Sequence, residues 1–141
     1  MNRSQLIVCL AALSLLFSGC ASEKPKYHDA KEASTEYVSL TEEYCAGIEK
    51  AGSAEDAAKV INAFADGLEK LGPKMKKVAE KYPELEDQEN IPEEWKASQE
   101  KMEEAIKKMT GTMFKLAPYM SDPAVLKAQE RMGQIMTSFQ K

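Results

Sequence analysis

Histidine is nearly missing from this chain: among 141 residues there is one, His28, in a polar stretch near the N-terminus. That scarcity removes several chemistries. Haem attached through Cys-x-x-Cys-His needs a motif the chain does not contain. Haem held without covalent bonds needs an axial ligand inside a core, and His28 does not fall on one. Structural zinc takes four Cys or His ligands, and only Cys45 and His28 could serve. A nucleophile activated by histidine needs that histidine held firmly against it, which a flexible tether does not provide.

Basic charge is also short. Lys and Arg number 19 against 23 Asp and Glu, a formal net of −4. This argues against a nucleic-acid partner, whose phosphates require a basic surface, and against a polybasic grip on anionic lipid. Paired carboxylates abound, but at surface-like positions with no apolar neighbours to raise their pKa. The longest apolar run, residues 6–17, is about 12 residues. As a helix it would span roughly 18 Å, too short for the roughly 30 Å hydrocarbon core of a bilayer. No alternating strand pattern occurs, so the fold expected is all-α.

The N-terminus is informative. Arg3 precedes the apolar run, and Ser18, Gly19 and Cys20 follow it. A positive start, a short apolar segment and small residues describe a secretory signal. With the cysteine placed directly after them, the segment resembles the lipobox of bacterial lipoproteins, Phe17 standing where leucine is commonest. The resemblance implies cleavage between Gly19 and Cys20, acylation of the Cys20 sulfur and of its new amine, and three acyl chains in organisms with the full pathway. Two or more chains anchor a protein stably, so the membrane is the expected partner, through Cys20. Ala21 rather than Asp after the cysteine implies the outer membrane, facing the periplasm, in a Gram-negative organism.

On this reading residues 1–19 are a signal peptide, 20–29 a lipidated cysteine and tether, and 30–141 one helical domain. Loss of residues 1–19 removes one charge, Arg3, leaving 18 basic and 23 acidic residues and a formal net of −5. Of three cysteines, Cys9 leaves with the signal and Cys20 is acylated. Cys45 then has no intramolecular partner, and its place on an apolar helix stripe predicts a buried thiol.

From residue 30 onward the apolar positions recur at helical spacing. The first stripe is Ala30, Ala33, Tyr37, Thr41, Tyr44 and Ile48, widened by Val38 and Cys45. Gly52 ends this helix and Ser53 caps the next. The second stripe, Ala57, Ile61, Phe64, Leu68, Leu71, Met75, Val78 and Tyr82, steps alternately by four and three without a break across Gly72-Pro73. One helix kinked at Pro73 is expected rather than two. Pro83 stops it, and Pro92 opens a third as its first residue.

Trp95, Gln99, Met102, Ile106, Met109, Met113, Leu116 and Met120 form the third stripe, with Pro118 kinking or ending it. Asp122-Pro123 restarts the chain into a fourth helix presenting Val125, Gln129, Met132, Met136 and Phe139, with Leu126 and Ile135 beside them. Four amphipathic segments with short connections predict an antiparallel four-helix bundle. The charged faces, such as 74–77 near Glu80 and Glu103-Glu104 near Lys107-Lys108, read as solvated pairs within each helix. Lys81-Tyr82-Pro83-Glu84-Leu85 among long charged helices resembles small helical exported proteins of unknown role, a likeness that carries no functional residues.

Methionine is the one unusual abundance. Seven remain after residue 19, and Met109/Met113 and Met132/Met136 are pairs one turn apart. Flexible methionine fills irregular cores, and core packing is the first expectation for it. Soft thioethers also select Cu(I), so a copper buffer built on Met109, Met113, Met132, Met136 and Cys45 is the alternative. No catalytic residues are expected and no cofactor. The function expected is a membrane-anchored, non-enzymatic binding or structural lipoprotein of the cell envelope with a possible protein partner.

Overall fold

The computed structural model describes residues 25–85, 87 and 89–138. The signal peptide 1–19, Cys20 with the Gly19–Cys20 cleavage point, and Phe139 lie outside the described residues. The chain is an all-α four-helix bundle: α1 (His28–Lys50), α2 (Ala54–Lys81), α3 (Glu93–Leu116) and α4 (Pro123–Ser138), with 3-10 turns at Pro83–Leu85 and Ala117–Tyr119. Among the described residues there is no strand.

Local chemistry sets the boundaries. The Ser53 hydroxyl accepts the Asp56 N–H at 3.1 Å and caps α2 as the sequence predicts. Asp56 returns the favour by accepting the Ser53 hydroxyl proton at 2.8 Å. α2 runs unbroken through Pro73 as a single helix. The bond that proline cannot donate frees the carbonyl of Glu69, a residue exposed to water. Pro92 sits at the N-cap of α3, one position earlier than expected. Of the kink or end expected near Pro118, the structure has the end: α3 stops at Leu116 and tightens into the 3-10 turn that contains the proline. Asp122 accepts the Ala124 N–H at 2.8 Å, with Pro123 opening α4.

Successive helices alternate in direction. Asp29 at the start of α1 meets Lys81 and Tyr82 at the end of α2. Trp95 at the start of α3 packs with Tyr27 and Ala30, while Leu116 at its end joins Ile48 and Val125. α3 therefore lies alongside α1 in the same direction, and α4 alongside α2. α1 packs on α2 and α3, and α2 on α4. Arg131 clamps the last pair, reaching Asp66 at 2.6 Å and Glu69 at 3.2 Å. Lys74, expected to pair within α2 near Glu80, instead crosses to Glu32 and Glu36 of α1.

Two apolar clusters hold the bundle. The main one joins Tyr44, Cys45 and Ile48 to Ala57, Ile61, Phe64 and Leu68, closed by Leu116, Val125 and Ala128. The smaller is Tyr27, Ala30 and Trp95. Every buried member of both lies between residues 27 and 128. α1 and α2 approach closely because Gly47 and Gly67 leave room: a Cβ on Gly47 would meet both Val60 methyls, at 2.8 and 2.9 Å.

The expected tether is structured at its end. His28 and Asp29 already belong to α1, and Tyr27, with a left-handed φ of 63°, is fully buried. Its ring stands edge-on to Tyr82 with centroids 5.0 Å apart, and its hydroxyl donates to Glu84 at 3.0 Å. That aromatic pair and its hydrogen bond hold a backbone conformation that L-residues avoid.

Candidate functional site

The eight-residue stripe of α3 was expected in the core, and it is only half there. Besides Trp95 and Leu116, the buried residues of α3 are Ala105 and Thr112, each one position before a stripe member. These small side chains let α3 sit close to α1. Thr112 satisfies its hydroxyl on the Lys108 carbonyl at 3.0 Å. The step of one residue rotates the stripe by about 100°, away from α1 and into a gap. Ile106, Met113 and Met120 are 45%, 52% and 44% exposed. α3 and α4 pack on α1 and α2 rather than on each other, so the bundle interior opens between them.

That opening is an apolar groove of about 300 Å³. Tyr37 and Tyr44 from α1 and Phe64 and Leu68 from α2 form its floor. Met109, Met113, Leu116 and Met120 make one wall, and Gln129, Met132 and Met136 the other. Among the described residues no charged side chain lines it. The Tyr44 and Phe64 rings pack with centroids 4.9 Å apart. Burial pushes the Tyr44 phenol above its ordinary value, so it stays neutral at physiological pH. The other half of the α3 stripe, Trp95, Gln99, Met102 and Ile106, lines a second hollow of about 300 Å³ that shares Tyr37 with the first. α4, 16 residues against the 24 of α3, leaves that second hollow to one side.

Both methionine pairs named from the sequence, Met109/Met113 and Met132/Met136, therefore line one groove, and Met120 joins them as a fifth. Its place on the same stripe was the signal for it. Cys45 does not join them: it is a free thiol, fully buried in the main cluster and absent from the groove lining. A buried thiol matches the expectation from its stripe, and its place removes it from a ligand set with the methionines. His28 is exposed at the start of α1. Among the described residues no three His, Cys, Asp or Glu side chains are grouped to hold a metal ion, and no helix is long and apolar enough to cross a membrane.

A larger cleft of about 510 Å³ separates α1 from α3. Its lining mixes Ser34, Thr35 and Ala97 with Glu42, Lys101 and Lys108. The Ser34 and Thr35 hydroxyls both donate to the Lys31 carbonyl, at 2.9 and 2.8 Å. They are thereby committed to backbone, and the cleft is the surface crevice left where small residues bring two charged helices together. At the opposite face of the helix start, Lys81 and the Tyr82 hydroxyl donate to Asp29 at 2.6 and 2.7 Å. These bonds, Lys81 foremost, lower the Asp29 carboxyl to about 2. The cluster ties the start of α1 to the end of α2. No family model, curated protein or solved structure matches the chain.

Proposed function

We propose that this is a lipid-anchored, non-enzymatic binding protein of the bacterial cell envelope, which holds a soft or apolar ligand in the methionine-lined groove between α3 and α4. The observation that carries the reading is the uncovered stripe of α3. A closed bundle would bury Met113, Met120 and Met136, and here each is roughly half exposed around a groove that no charged side chain lines among the described residues. Pockets for small ligands are concave, mostly apolar and few per protein. Gln129 brings an amide to the lining and can orient a polar end of a ligand.

The anchor rests on the resemblance of residues 1–20 to a lipoprotein signal. From Cys20 to the locked Tyr27 the chain reaches at most about 25 Å, so an acylated Cys20 keeps α1 beside the membrane. In a Gram-negative organism, Ala21 on the same resemblance favours the outer membrane, facing the periplasm. A net charge of −5 after processing leaves attachment to the acyl chains.

Two measurements test this. Cys20→Ser should abolish labelling by a fatty-acid probe in cells; labelling equal to wild type removes the anchor. A chain beginning at Ala21 retains every residue of both clusters and serves for the groove. A neutral fluorescent naphthylamine should brighten on binding it, and Met113→Glu, which places a charge at the mouth, should remove the signal. Binding unaffected by Met113→Glu would place the ligand elsewhere.

A further inference from the structure

We infer that the groove is a Cu(I) site whose ligands are methionine thioethers, with Met109, Met113, Met132 and Met136 as the principal set. The inference rests on the groove being the protein's binding site, and names its ligand.

Residues four apart stand on one helix face, so each pair presents two sulfur-bearing side chains to the groove, one pair from α3 and one from α4. Methionine used only as filler belongs in the interior. Here Met109 and Met132 are half-buried while Met113 and Met136 are 52% and 50% exposed, which carries the thioethers from the floor to the mouth. Graded exposure gives an entering ion a succession of ligands along one path.

The donor set selects the ion. Thioether sulfur is soft and uncharged, and it favours Cu(I) over the oxygen-seeking divalent ions. Among the described residues no carboxylate or imidazole lines the groove to hold Mg²⁺, Ca²⁺ or Zn²⁺. A single positive charge is cheaper to desolvate among apolar walls than a double one. The acidic charge balance of the domain draws cations towards it. Binding alone is inferred, with no change in the oxidation state of copper.

The test uses the protein as extracted from its membrane in a non-ionic detergent, without oxygen, titrated with Cu(I) against the chromophoric chelator bicinchoninate. One equivalent should be retained, with an affinity that does not change between about pH 5.5 and 7.5, because a thioether has no proton to lose whereas a thiol ligand does. X-ray absorption should show sulfur as the scattering neighbour of copper. Leucine conserves volume and deletes only the sulfur, so the double variant Met113→Leu/Met136→Leu should weaken retention at least tenfold. Replacing all four methionines by leucine should abolish it, with helical content unchanged by circular dichroism. Cys45→Ala should retain copper as wild type does. Failure of the wild type to retain copper, or retention by the four-leucine variant, overturns the inference. If copper is not retained while the naphthylamine still binds and Met113→Glu still blocks it, the groove reading stands without the metal. If neither binds, both fall.

Discussion

Phe64 shows how one side chain serves both packing and site. It is 4% exposed, stacks against Tyr44 and forms part of the groove floor. Phe64→Ala should lower unfolding free energy by about 3–5 kcal/mol in a denaturant titration; an unchanged midpoint would remove it from the core. Asp29 makes a different kind of contribution. Its carboxyl is lowered to about 2 by Lys81 and the Tyr82 hydroxyl, against an ordinary value of 3.8. A depressed carboxyl binds fewer protons folded than unfolded, so its stabilisation is complete above pH 3.8 and is lost as the pH falls towards 2. The pair is exposed and the effect is small in consequence. Asp29→Asn should flatten thermal stability across that window, read as the difference in melting temperature between wild type and variant at each pH.

At the scale of the element, Pro73 tests the continuity of α2. Its exposed face lets solvent take up the carbonyl it strands, and the helix continues to Lys81. Pro73→Ala restores the missing hydrogen bond to the Glu69 carbonyl, and in a helix interior proline costs about 3 kcal/mol relative to alanine. The variant should therefore keep its helical content and melt higher; loss of fold would show that the break is required.

The helices were legible for the same reason that this one is continuous. Three-and-four spacing and the caps at Ser53 and Asp122 are local properties, and local geometry fixed them. Burial of the α3 stripe was not legible. Periodicity reports which residues share a face, not what covers that face. The cover was decided by Ala105 and Thr112 docking on α1 and by the short α4, and both depend on tertiary packing. Tyr27 was missed for a related reason. Nothing in its polar neighbourhood marks a left-handed residue whose partners, Tyr82 and Glu84, lie more than fifty positions away. The methionine pairs were readable as pairs, but that α3 and α4 present them to one groove was a fact of assembly.

The whole molecule is unevenly held. α1 and α2 carry most of the buried side chains, while α4 contributes Val125 and Ala128 and an exposed ion pair through Arg131. Segments with few buried contacts open first. Amide hydrogen exchange should therefore be fastest among the helical amides of residues 129–138 and slowest around Ile61 and Phe64. A ligand that bridges α3 and α4 should slow the former while leaving the latter nearly unchanged. Uniform protection across all four helices would show a closed, singly cooperative bundle.

The lock at Tyr27 also determines how the molecule takes a mechanical load. On an acylated Cys20, any pull between membrane and envelope enters the domain through the residue wedged against Tyr82 and Glu84. From there the force divides between the start of α1 and the end of α2, the two best-packed helices, which are braced side by side by Lys81 and Lys74. Among the described residues none of α4 belongs to the Tyr27 cluster, whereas Trp95 at the start of α3 does. The mooring and the exposed methionines stand at different places in the bundle: Tyr27 joins the start of α1 to the end of α2, while Met113 and Met136 edge the groove from α3 and α4.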